Sequence, residues 1–99
     1  MQYTCIKLVP ADHPSIKGHF PGNPVVPGAL LLGLVEQCIE EHWKSSVVSN
    51  WDNIKFLHPL VPGGEIAIRL TSSDDKFTFV CLAGDVEISR GRFSLQGKA

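Results

Sequence analysis

Residues 18–37, GHFPGNPVVPGALLLGLVEQ, set two kinds of sequence side by side. The first half belongs to a run rich in proline and glycine. Between residues 10 and 28 stand Pro10, Pro14, Pro21, Pro24 and Pro27, with Gly18, Gly22 and Gly28 among them. Proline fixes φ and glycine admits unusual φ, so the run predicts an ordered loop of special shape, not a flexible linker. A loop of that length in a small domain points to function. The second half is helical. Pro27 suits a helix start, where the missing N–H costs nothing. Leu31, Leu34, Val35, Cys38 and His42 recur at spacings of three and four, which predicts a helix from Gly28 to about Lys44. Leu30, Leu32 and Ile39 widen the stripe, so the first half is expected to be buried on most sides. Glu40, Glu41 and Lys44 carry the second half into solvent.

The flanks read as strands. Residues 3–9 are rich in apolar and β-branched types. Residues 50–57 form another strand, which stops at His58-Pro59, and Pro62-Gly63-Gly64 turns the chain. In residues 65–71, Ile66, Ile68 and Leu70 alternate with Arg69 and Thr71. Phe77, Phe79 and Cys81 do the same after a turn at residues 72–75, and Gly84-Asp85 makes a tight hairpin. In the last strand Val86 and Ile88 differ in parity from Phe93 and Leu95, so a β-bulge is expected, placed at Gly91. The sum is strand, long loop, helix and a meander of about four strands. That is an α+β arrangement of one helix on one antiparallel sheet. So small a unit is marginal alone, so a homodimer or heterodimer joined through sheet edges or the loop is expected.

Composition narrows the function. The chain has 99 residues, enough for a single domain over residues 1–99. Lys plus Arg is 9 and Asp plus Glu is 10, a balance that disfavours a nucleic-acid binder relying on bulk positive charge. Residues 29–32, the apolar run that ends at Gly33, fall far below the ~20 residues needed to cross a bilayer. Met1 to Thr4 leads into a strand and not a signal peptide. Cys5, Cys38 and Cys81 are widely spaced with no CxxC pair, so three reduced thiols in a cytoplasmic protein are expected, without zinc or disulfides.

The stretch His-Phe-Pro-Gly-x-Pro-x-x-Pro-Gly, His19 to Gly28, leading into the helix resembles the signature of the β-hydroxyacyl-(acyl carrier protein) dehydratases of the FabA/FabZ class. His58-Pro59-Leu60-Val61-Pro62-Gly63-Gly64 is similar to that family's strand-end Pro-x-x-Pro-Gly. The likeness covers roughly residues 5–95. In its compactness and its Asp12-His13-Pro14 approach to the loop, the chain looks closest to short dehydratase-like proteins of aryl polyene-type pathways. The resemblance implies a hotdog fold, one long central helix wrapped by an antiparallel sheet. It implies elimination of water from a 3-hydroxyacyl thioester on acyl carrier protein, with no metal and no redox cofactor.

Residue by residue, His19 matches the catalytic histidine, which takes the α-proton; its pKa range suits that role. The plain alternative is a histidine that caps the loop. Phe20, Pro21, Gly22 and Pro27 match the substrate-binding loop. Gly28 offers helix N-terminal N–H groups to a thioester oxygen gaining charge, or serves only close loop-to-helix packing. The family's acid stands fourteen residues after the histidine, and that position here is Gly33. Gly33 either admits a bulky acyl chain or marks altered chemistry. Glu36 lies three residues on, about 60° around and ~4.5 Å along the axis, and would reach back as the acid. Burial beside Leu34 and Val35 would raise its pKa; the alternative is a solvent-facing glutamate. Gln37 matches a family glutamine near the pocket, and His13 is a weaker donor.

His58 is expected to make a strand-end hydrogen bond, and Trp51 and Phe56 to pack in the core or a dimer. Arg69, Arg90 and Arg92 read as solvated charge, with contact to an acidic carrier protein or its phosphopantetheine as the alternative. Two other functions stay open. One is a catalytically impaired acyl-binding or partner subunit of a heterodimeric dehydratase. The other is a hotdog thioesterase.

Overall fold

The computed structural model describes residues 1–10 and 25–98. His13, His19, Phe20, Pro21 and Gly22 lie outside the described residues. The elements run β1 (Gln2–Leu8), α1 (Gly28–His42), β2 (Ser46–Phe56), β3 (Glu65–Ser73), β4 (Lys76–Ala83) and β5 (Val86–Gly97). The five strands form one antiparallel sheet in the order β1-β3-β4-β5-β2. The first strand of the chain and the first after the helix therefore form opposite edges. This is the helix-on-sheet arrangement that the hotdog resemblance implies.

Alternation sets the inner face of the sheet. Ile66, Ile68 and Leu70 of β3, Phe79 and Cys81 of β4, and Ile88 and Phe93 of β5 are buried there. Against them α1 lays Leu31, Leu34, Val35, Cys38 and Ile39. Aromatic rings close one end of this core. Trp43, Phe77 and Phe93 meet with centroids 5.4–6.1 Å apart, and Trp51 lies edge-on to Phe79 at 5.7 Å. The helix ends at His42, two residues before Lys44, where the Trp43 N–H donates to the Ile39 carbonyl at 2.8 Å.

Three expectations need correction. One stripe of the helix is left exposed: Ala29, Gly33 and Gln37 lie on it at spacings of four, despite the apolar residues around them. The bulge of β5 is not at Gly91. Cys81 pairs with Ser89 and Leu82 with Glu87, which makes Ile88 the extra residue. Gly91 pairs regularly with Phe79 of β4, while on its other side a register shift between Asp52 and Lys55 puts Asn53 and Ile54 of β2 opposite it, and close approach explains its lack of a side chain. A Cβ there would stand 2.8 Å from Phe79 Cε1 and 3.2 Å from Ile54 Cα. Phe79 is fully buried and cannot yield. Gly91→Ala should therefore lower unfolding stability by about 1–3 kcal/mol, read by urea denaturation, through overpacking.

The third correction concerns the thiols. Cys5 and Cys38 form a disulfide, and Cys81 alone is free. Their 33-residue separation hid the pair, because it is the topology that passes β1 beneath α1 and brings the two Cα atoms to 6.3 Å.

Candidate active site

The N-terminus of α1 is the constructed end of the molecule. Pro27 enters it extended, at φ −62 and ψ 145, and its carbonyl accepts the Leu31 N–H at 3.1 Å. The N–H groups of Gly28, Ala29 and Leu30 come before that first intrahelical bond. Pro27 supplies no side-chain cap, and no acidic residue stands in the first turn. The positive end of the helix is thus left without a carboxylate of its own to neutralise it.

Strand ends are brought to this point by backbone bonds. The Val26 N–H donates to the Leu60 carbonyl at 2.8 Å. The N–H groups of Leu57 and His58 both donate to the carbonyl of the bulged Ile88, at 2.8 and 3.3 Å. The bulge thereby holds the end of β2 beside the helix start. Between these segments lies a mainly apolar cavity of about 400 Å³, with Gly28, Leu31, Phe56, His58 and Leu60 on its walls. That volume lies in the range of small-molecule sites.

Gly28 is the tight spot. A Cβ there would stand 2.7 Å from Phe56 Cζ. The Phe56 ring is 55% exposed, so it can swing aside. Gly28→Ala should leave stability within about 1 kcal/mol of the unmutated protein, since alanine also favours the helix. The displaced ring would intrude on the cavity, and turnover should fall about 10²-fold, the usual cost of misplacing a reacting group. Chemical denaturation beside a rate assay separates the two effects.

Glu36 is half-buried and Gln37 exposed, both further along α1 and neither on the wall of the cavity at its start. Gly33 is exposed, and a Cβ built on it meets nothing within 4 Å. His58 was read only as a strand-end residue. Its Nδ1 lies 2.7 Å from the Pro59 carbonyl, so Nδ1–H donates and, in the neutral ring, Nε2 is left as an acceptor. It also lines the cavity, a role invisible in sequence because residues 56–60 reach the helix only through the fold. Phe56, expected in the core or a dimer contact, lies outside the core and stands over Gly28. Trp51 joins the core as expected. Arg90 pairs with Glu87 and Arg92 with Asp52 on exposed strand positions. Among the described residues no three His, Cys, Asp or Glu side chains come together as a metal site needs. No described helix is long and apolar enough to cross a membrane.

Comparison with known proteins agrees with this geometry. A family model described as ApeI-like, ApeI dehydratase, matches residues 1–92. The 3-hydroxyacyl-[acyl-carrier-protein] dehydratase FabZ of Aliarcobacter butzleri is 33% identical over 91 residues, covering 79% of this chain and 62% of the relative. The enzyme of the same name from Caulobacter vibrioides is 32% identical over 104 aligned positions, covering 90% and 65%. The chain spans less than two thirds of the length of these relatives. Among solved structures, an uncharacterized protein from Erwinia carotovora subsp. atroseptica superposes with a TM-score of 0.75 at 27% identity, covering 97% of this chain and 83% of that one. The dehydratase heterocomplex ApeI:P from Xenorhabdus doucetiae gives 0.79 at 22% identity, covering 95% and 86%, a likeness of fold. With the family model spanning nearly the whole chain, the chain belongs to the ApeI-like dehydratase family.

Proposed function

We propose that the protein eliminates water from a 3-hydroxyacyl thioester borne on the phosphopantetheine of an acyl carrier protein, forming a trans-2-enoyl thioester for fatty acid or polyene-type biosynthesis in the cytoplasm. The observation that carries this reading is the uncapped N-terminus of α1 opening on an apolar cavity of about 400 Å³. His19 takes the C2 proton. Charge gathering on the thioester oxygen is met by the helix N–H groups at Gly28. The C3–O bond breaks, the C2–C3 double bond forms, and a proton from Glu36 lets the hydroxyl leave as water. Phe20, Pro21, Gly22 and Pro27 bind the substrate, Gly33 leaves room for the acyl chain, and Gln37 orients the hydroxyl. The elimination is redox-neutral, so it calls for no redox cofactor, and with a proton donor for the hydroxyl it calls for no metal.

A second reading, a partner subunit in a heterodimeric dehydratase, draws on three observations. The acid position is Gly33. Among the described residues no strand lies beyond the edge of β2. Phe56, Leu57, Val61 and Val86 leave apolar side chains exposed near the cavity. A fold-level relative is itself a dehydratase heterocomplex. The deciding experiment incubates the purified protein with a carrier-bound 3-hydroxyacyl thioester and follows product mass and free thiol. Loss of one water without thiol release is expected. Thiol release would make it a thioesterase. No turnover alone, but turnover on adding a second hotdog subunit, would make it a partner subunit.

A further inference from the structure

We propose that Cys5 and Cys38 are a reversible thiol–disulfide site, closed by a low-molecular-weight disulfide such as glutathione disulfide, which locks the edge strand β1 onto the central helix. The inference is independent of the reaction proposed above.

The geometry is specific. Along the inner face of β1, Tyr3, Cys5 and Lys7 alternate with exposed residues. All three meet the C-terminal half of α1. The Tyr3 ring stacks on His42 with centroids 4.2 Å apart and planes 18° apart. Lys7 pairs with Glu41. Between these contacts Cys5 is bonded to Cys38. Among the described residues, beyond its pairing with β3, β1 is held to α1 by this row, and the sulfur pair is its one covalent member. The bond closes a ring over residues 5–38, which contains the whole His19 to Gly28 segment.

The two sulfurs differ in access. Cys5 is half-buried on an edge strand, and Cys38 is fully buried. Cys5 is thus the entry point. Its thiolate attacks one sulfur of glutathione disulfide, that S–S bond breaks, and one glutathione leaves. The Cys38 thiolate then attacks Cys5 Sγ and expels the second glutathione. The protein loses two electrons, the glutathione disulfide gains them, and the two cysteine protons end on the two glutathione thiols. Cys81 takes no part. It shares a row with Cys5, but Ile68 stands between them, Cys5 pairing with Ile68 and Ile68 with Cys81. Two strand spacings, roughly 9–10 Å, exceed the reach of a disulfide. Burial also pushes the Cys81 thiol up to about 12, which keeps it unreactive.

The test equilibrates the full-length chain across a series of reduced and oxidised glutathione buffers and quenches with acid. Disulfide mapping, denatured thiol counts and thermal unfolding are then read. One transition is expected, from three free thiols to one, with the remaining thiol mapped to Cys81. The oxidised form should melt about 10–20 °C higher, given the ring size and the size of the domain. Cys5→Ser and Cys38→Ser should each abolish the redox dependence of Tm. Mapping on the unmutated chain needs no variant to fold. Three free thiols in the most oxidising buffer, a lasting glutathione adduct at Cys5, or a Tm independent of redox state would each overturn the proposal.

Discussion

In a Glu36→Gln variant, Gly33→Glu should raise the rate of water elimination by about 10²-fold or more, the usual contribution of a positioned general acid. The position faces open space, with nothing within 4 Å of a Cβ, so the side chain can be accommodated without displacing the core. Replacing an exposed helical glycine should also stabilise the fold by about 0.5–1 kcal/mol. Both changes are in the favourable direction, which is rare for a substitution near a reacting centre. The effect should be coupled to Glu36. In the unmutated protein Glu36→Gln should slow elimination by about 10²-fold, because the hydroxyl loses its proton donor. In the Gly33→Glu background the same change should matter little, because the new carboxyl does the work. A double-mutant cycle on the elimination rate measures that coupling. Equal losses in both backgrounds would show that Glu36 acts elsewhere than on the leaving hydroxyl.

His19→Ala should reduce the rate by about 10²–10⁴-fold. The residue lies outside the described segments, so the expectation rests on the signature around it and on where the described chain resumes. Val25 to Pro27 lead directly into the cavity at the helix start, with the Val26 N–H fastened to Leu60. If His19 only capped the loop, its removal would lower thermal stability along with the rate. Measuring Tm beside the rate separates the two roles, and an unchanged Tm with the rate loss is the expected result.

Much of the architecture was legible because burial follows period. The alternation of Ile66, Ile68 and Leu70, and of Phe77, Phe79 and Cys81, marked β3 and β4 and their inner faces correctly. The spacing of Leu31, Leu34, Val35 and Cys38 marked the covered side of α1. Pro27-Gly28 located the helix start and hence the candidate site. What stayed hidden depends on pairs far apart in sequence. A glycine in a strand signals either a bulge or close approach, and only the partner strand shows that Gly91 serves Phe79 while Ile88 is the extra residue. Ser89 is buried directly after Ile88 because its hydroxyl donates to the Lys55 carbonyl at 2.7 Å, a partner 34 residues away. The Cys5–Cys38 bond and the placing of Phe56 and His58 at the cavity are of the same kind.

The central claim is that a base in the His19 loop removes the C2 proton of a thioester held at the start of α1. The most direct measurement runs the reaction to equilibrium in deuterated water and locates deuterium in the recovered 3-hydroxyacyl thioester. Since elimination and its reverse exchange that proton with solvent, the account predicts deuterium at C2 with the unmutated protein and, over the same time, about 10²–10⁴-fold less with His19→Ala. Deuterium at C2 to the same extent in both, or none in the unmutated protein while enoyl thioester still accumulates, would contradict it.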